Sequence, residues 1–322
     1  MIDIGQIDIS GTSGLTWLDD ETLVLSRVDK PEDPASPVSL STLDIRTGAQ
    51  RGIGLPSLDG CQRTDYLRPE RLPDGRIGAV QRCIPNGPSG GDWPTRLIAM
   101  DPDTKSVEQL TPNLSSGSVV NVSAYSWRPD MREATVSVGS RICQRLVTAT
   151  EVGLVPIDKD VTVAGKTFNL GDPVNKGNDC SSTGRADQPT WSPDGANLAF
   201  LASAAAIGLS GTDRLAAPSS LLLQQAGASD PLGLLDGVQD AVGLRYSPSG
   251  ECLGFGANLT GQGNGTFLVR PSDGKLVKVS DTGIGASWSP SGEYLAGAVR
   301  PRSGEPLQWL VVLPASCDLL AQ

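Results

Sequence analysis

Apolar residues fall in short runs along this chain, each run ended by a turn rich in Pro, Gly, Asp or Ser. Helical periodicity is scarce; residues 202–209 and 221–226 read as short helices, but the first fits an insertion and the second a strand. The runs come in pairs. An aromatic residue closes one apolar segment, a tight turn follows, and a second apolar segment begins. The phrase is plainest at Trp191-Ser-Pro-Asp-Gly195, Tyr246-Ser-Pro-Ser-Gly250 and Trp288-Ser-Pro-Ser-Gly292. Pro presets φ at such a turn, Asp or Ser caps it, and Gly accepts the positive φ that returns the chain. Each copy predicts a β-hairpin.

Weaker copies lie upstream. Trp17 precedes Asp19-Asp20, Arg71 takes the aromatic slot before Leu72-Pro73-Asp74-Gly75, and Trp127 precedes Arg128-Pro129-Asp130-Met131. The anchors 17, 71, 127, 191, 246 and 288 stand 42 to 64 residues apart. A hairpin recurring at that period predicts one blade per copy around a ring. The tail after 288 is too short for a whole blade. The alternating segment 2–9, Ile-Asp-Ile-Gly-Gln-Ile-Asp-Ile, is therefore expected to supply the outer strand of the last one. Such closure would remove the exposed edge of the ring and bring the two ends of the chain together. The expected fold is all-β: a six-bladed β-propeller of four-stranded antiparallel blades, one domain over 1–322. Within the fifth blade the strands are placed at 244–247, 252–257, 266–270 and 276–279. The anchor aromatics are assigned to packing between blades.

The Trp-Ser-Pro-Asp-Gly phrase resembles the repeat of the TolB-like family of six-bladed β-propellers, over the whole chain. The resemblance implies an exported scaffold that binds other proteins at the cell envelope. The same propeller also occurs as a non-catalytic domain beside serine peptidase domains.

Composition narrows the chemistry. The formal net charge is −10, with no basic run, which argues against nucleic acid or an anionic membrane surface as a partner. No apolar stretch approaches the roughly 18 residues of a membrane span. No signal peptide is visible at Met1, so an export or anchor segment is expected to be absent from this sequence. The chain contains no histidine. Ser-His-Asp and Cys-His nucleophiles are excluded, as are histidine-ligated metals.

Carboxylate chemistry stays open. Asp65, Asp187 and Asp240 stand at predicted inner-strand entries, and Arg63, Arg185 and Arg245 lie near them in sequence. These six are the candidates for a polar ligand site at the channel mouth, and their proximity favours acid–arginine pairing. The favoured function is a non-catalytic, monomeric, extracytoplasmic scaffold or sensor with a protein partner. The competing reading is a carbohydrate-binding protein or glycoside-active enzyme using funnel carboxylates. No cofactor is expected except, on the second reading, calcium, for which Asp101-Pro-Asp-Thr and Asp158-Lys-Asp160 offer paired acids outside any twelve-residue calcium loop. Two insertions, 152–183 and 202–219, are the expected partner surface.

Six cysteines are present, none in a Cys-x-x-Cys pair. Mapped onto the blade, they are expected to bridge as Cys61–Cys83, Cys143–Cys180 and Cys252–Cys317. The first two bridges fall on one face of the ring and the third on the other. Three bridges would place the protein in an oxidising compartment.

Overall fold

A computed structural model describes residues 2–3, 14–30, 33, 35–86, 93–114, 122–139, 144–163, 165–171, 184–203, 218–299 and 309–321. Strand β1 (Ile2–Asp3) opens the chain. The first sheet then runs β2 (Leu15–Trp17), β3 (Thr22–Val28), β4 (Val38–Asp44), β5 (Gln50–Gly52). The second runs β6 (Cys61–Arg71), β7 (Ile77–Pro85), β8 (Thr95–Met100), β9 (Val107–Gln109), and the third β10 (Val122–Trp127), β11 (Ala134–Val138), β12 (Arg145–Thr150), β13 (Gly153–Pro156). After a separate hairpin, β14 (Asp160–Val163) and β15 (Lys166–Asn169), comes a seven-stranded sheet. It is built from β16 (Arg185–Trp191), β17 (Asn197–Ser203), β18 (Ser219–Gln225), β19 (Leu232–Tyr246), β20 (Leu253–Leu259), β21 (Gly263–Val269) and β22 (Leu276–Ser280). The last sheet has the order β1, β25 (Trp309–Pro314), β24 (Tyr294–Val299), β23 (Ser287–Trp288). All strand pairings among the described residues are antiparallel, as short up-and-down connections allow. This is an all-β propeller arrangement.

The chain does close on itself. Ile2 pairs with Leu310 and Asp3 with Trp309, so β1 is the outer strand of the last sheet. Residues 4–9 of the expected strand lie outside the described residues.

The strand β19 joins two hairpin systems. Its first half pairs with β18 and its second half with β20, and the register slips between Gln239 and Val242 and again between Val242 and Arg245. Positive φ at Gly237, Asp240 and Gly243 produces the bends. Glycine is needed at 243. A Cβ there would stand 2.3 Å from the backbone nitrogen of Ala286, at a φ of +64°.

Successive sheets are held by hydrophobic clusters that go round the ring and return. Trp17, Leu23 and Leu43 of the first sheet pack with Ala296 and Leu310 of the last. Val24 and Leu40 meet Tyr66 and Ile77 of the second. Leu67 and Leu97 meet Tyr125 and Trp127 of the third. Leu146 meets Ala186 and Phe200, with Phe168 of the extra hairpin wedged against them. Leu201 and Leu221 meet Leu244 and Phe255, and Leu268 meets Ala286 and Leu295.

The anchor aromatics sit at these seams. The indole nitrogen of Trp17 donates to the Ser287 carbonyl (2.9 Å), that of Trp191 to the Thr135 hydroxyl (3.0 Å), and that of Trp288 to the Arg245 carbonyl (3.2 Å). Each donor reaches back to the preceding inner hairpin. The turns stack as well. Gly195 lies against Pro129, and Gly250 against Pro193. At the closure, the Ser291 amide donates to Asp20 at 2.9 Å.

Cys61–Cys83 and Cys252–Cys317 are bridged, with Cα separations of 5.5 and 5.7 Å. Cys143 and Cys180 lie outside the described residues. The expected insertions need revision. Gly153–Pro156 is not inserted but forms the outer strand of the third sheet, while 160–169 is an added hairpin. Residues 204–217, including most of the first stretch read as a helix, lie outside the described residues. Among the described residues no helix is long and apolar enough to cross a membrane.

Candidate functional site

Three of the inner strands share a local device. In β6 and in β16 a proline follows a residue with φ near +53°, Arg68-Pro69 and Gln188-Pro189, and the pairing slips there. Proline has no amide to give the ladder, so a bulge is the arrangement that accommodates it. In β19 the matching bulge is made by Gly243, three residues before the anchor, as Arg68 and Gln188 are. Each bulge re-aims the residue just before the anchor. That slot holds Thr16, Glu70, Ser126, Thr190, Arg245 and Ser287.

Two of the six are charged, and they meet. Arg245 Nη2 lies 3.1 Å from Glu70 Oε2, between residues 175 apart in the chain. Going round the ring, β6 and the second half of β19 are separated by three hydrophobic clusters in either direction. The ion pair therefore spans the middle of the molecule. Its side chains are only 13% and 19% exposed. Burial pushes the Glu70 carboxyl up to about 7, against the opposing pull of Arg245 and a hydrogen bond from Ser126. The Tyr125 hydroxyl, raised well above its ordinary range by burial, donates to the Arg68 carbonyl (3.0 Å) beside the same pair. Thr16 and Ser126 also accept the amides of Arg71 and Trp191, at 3.0 and 3.1 Å, and so stitch neighbouring inner strands together.

The six residues expected to ring the channel mouth are not brought together as one group. Asp65 is fully buried. It accepts the Val38 amide (3.0 Å) and is flanked by Arg63 (3.1 Å) and Arg82 (2.9 Å), the latter stacked over Trp93. Asp187 is buried between the Ser123 hydroxyl (3.1 Å) and the Gln188 amide (2.8 Å). Arg185 is half-buried at the start of β16. Asp240 is exposed at a left-handed bend, and the expected pairing with its sequence neighbour Arg245 is not made. The bulges at 240 and 243 turn the two apart, and Arg245 takes its partner from across the ring. Glu70 escaped the sequence reading because only acids at the inner-strand entries were weighed, and Glu70 stands at the far end of its strand. The available signal was its slot, the same one Arg245 fills before Tyr246.

The paired acids weighed for calcium are occupied by turns. Asp101 caps the amides of Asp103 and Thr104, and the Thr104 bond chiefly lowers its carboxyl pKa. Asp158 and Asp160 share the side-chain amide of Asn169, at 3.0 and 3.1 Å. Among the described residues no group of three or more Asp, Glu or Cys could hold a metal ion.

A cavity of about 540 Å³ lies apart from the Glu70–Arg245 pair. It is lined by Asn197, Glu251, Arg270 and the C-terminal turn at Cys317 and Asp318. Arg270 is engaged there with Asp273 (2.8 Å) and the Leu320 carbonyl (2.6 Å).

No family model matches the sequence, and no curated protein matches it. Solved structures do match in shape. TolB from Acinetobacter baumannii superposes with a TM-score of 0.55 at 14% identity, over 94% of this chain and 65% of that one, so the present chain spans about two thirds of its length. A putative TolB from Agrobacterium tumefaciens gives 0.52 at 16% identity, over 86% and 84%. An oligogalacturonate lyase in complex with manganese gives 0.50 at 12% identity, over 96% and 78%. With seams, closure and repeat in place, the fold of this chain is a TolB-like β-propeller.

Proposed function

We propose that the chain is a six-bladed, non-catalytic scaffold that binds a protein partner outside the cytoplasm, at the cell envelope. The blade count treats the seven-stranded sheet as two blades sharing β19, beside the four four-stranded sheets. Two disulfides support an oxidising compartment, where such bridges persist.

One observation carries the non-catalytic reading. The inner-strand acids Asp65 and Glu70 are committed to partners within the protein: Asp65 to two arginines and an amide, Glu70 to Arg245. A glycosidase needs two carboxyl groups free to face substrate. The competing enzyme reading rests on Glu70 alone, whose carboxyl near 7 is suited to acid–base work.

The test has two arms. Cross-linking in the native envelope, followed by affinity capture and mass spectrometry, is expected to recover a stoichiometric protein partner. Incubation with oligogalacturonate and neutral polysaccharides is expected to give no cleavage above a heat-treated control. Turnover that disappears in Glu70→Gln would overturn the scaffold reading in favour of the enzyme.

A further inference from the structure

The Glu70–Arg245 pair joins inner strands on opposite sides of the ring. Arg245 spends one donor on the Leu244 carbonyl (2.9 Å) and one on Glu70, and no other partner is present among the described residues. A guanidinium offers five N–H donors in a fork shaped for bidentate carboxylate binding. Glu70 thus holds it through a single contact, less than the fork can accept. On the strands flanking Arg245, the same slot carries Thr190 and Ser287. Their hydroxyls make no hydrogen bond within the described residues. Both charged side chains are less than one-fifth exposed, so only a slender group could reach them.

We propose that Arg245 anchors a site for the free C-terminal carboxylate of an extended peptide, which enters the ring centre by taking Arg245 from Glu70. The proposal deepens the protein-binding reading above and rests on it. Exchange of one carboxylate for another keeps the arginine paired, so the buried cation is never left uncompensated. Glu70 need not remain as a stranded anion. Burial already brings its carboxyl close to neutrality, and on losing Arg245 it takes one proton from solvent. The charged and titratable groups around it are Arg245 from β19, Tyr125 from β10 and Arg68 from its own strand. Tyr125 stays neutral throughout, so the proton taken up belongs to Glu70.

The experiment is calorimetric titration with acetylated tri-alanine, as the free acid and as its C-terminal amide, and with galacturonate as a sugar carboxylate. Wild type is expected to bind the free acid and not the amide. The observed heat should vary with the buffer's ionisation enthalpy, reporting proton uptake near pH 7. Glu70→Gln should bind the free acid about tenfold more tightly at pH 8 and without proton uptake, since one competing charge-assisted bond is gone. The double variant Glu70→Gln with Arg245→Gln leaves no buried charge at the centre and guards against misfolding. It should lose at least about tenfold relative to wild type. Equal binding of acid and amide, unchanged binding in the double variant, or no binding of the acid at all would overturn the proposal. Binding of galacturonate but not of the peptide would overturn the assigned occupant. If the double variant still captures the wild-type protein partner, the central site fails while the scaffold reading stands.

Discussion

At the scale of single residues, the central ion pair sets a measurable pH dependence. Glu70 has a folded pKa of about 7 against an ordinary 4.5, because burial outweighs the attraction of Arg245. The folded state then binds more protons than the unfolded one between these values, and stability falls as pH rises. The contribution is complete below about 4.5 and is lost as pH climbs through 7. Its size is on the order of 3 kcal/mol, from about 1.4 kcal/mol per pKa unit. Glu70→Gln is expected to flatten the pH dependence of the urea midpoint between pH 5 and 8, and to match or exceed wild type at pH 8. The sequence offered the Arg245 half of this pair and not the other half. Nearness along the chain pointed to Asp240, and nearness is a poor guide where two bulges intervene. Asp65 is the converse case. Arg63, two residues away on the same strand, is one of its actual partners, while Arg82 arrives from the paired strand.

At the scale of elements, the bulged inner strands decide which glycines matter. Gly243 and Gly261 both have positive φ, +64° and +83°. A methyl group at 243 would collide with the backbone of Gly285 and Ala286, which cannot give way, whereas nothing lies within 4 Å of one at 261. Gly261→Ala should therefore cost only the left-handed strain, about 1–2 kcal/mol. Gly243→Ala should cost at least about 2 kcal/mol more, by overpacking against fixed backbone. Chemical denaturation of the two variants side by side checks the difference. Strand positions were legible in part where the aromatic–Pro–Gly phrase was intact: the inner strand expected at 244–247 is only the end of the 15-residue β19. The segments predicted at 252–257 and 276–279 correspond to β20 and β22 nearly residue for residue. The added hairpin was missed although Val161, Val163 and Phe168 alternate with polar residues around Gly165. It belongs to no repeat copy, and it docks by packing Val161, Val163 and Phe168 against Leu146, Ala186 and Phe200.

At the scale of the whole molecule, ring closure and sulfur act together. The Cys252–Cys317 bridge joins positions 65 apart in the chain and ties the start of β20 to the segment after β25. Closing a loop of that length should stabilise by about 2–4 kcal/mol. The variant pair Cys252→Ala with Cys317→Ala is expected to unfold at lower temperature than wild type under oxidising conditions and to match reduced wild type more closely. Equal melting of the variant and the oxidised wild type would remove the bridge from the stability account. Closure was legible because the spacing of the anchors left a strand to be found. The pairings Cys61–Cys83 and Cys252–Cys317 were legible once each cysteine could be assigned to a hairpin face.

The long strand β19 ties local opening on one side to the other. Its amides and carbonyls serve β18 over one half and β20 over the next, without an intervening loop. The other neighbouring sheets share no strand, so one can open without drawing on the hydrogen-bond ladder of the next. Here, peeling β19 away from one neighbour strains its hold on the other. Deuterium should consequently enter residues 219–259 as a single cooperative unit, later than it enters the short outer strands β5 and β9.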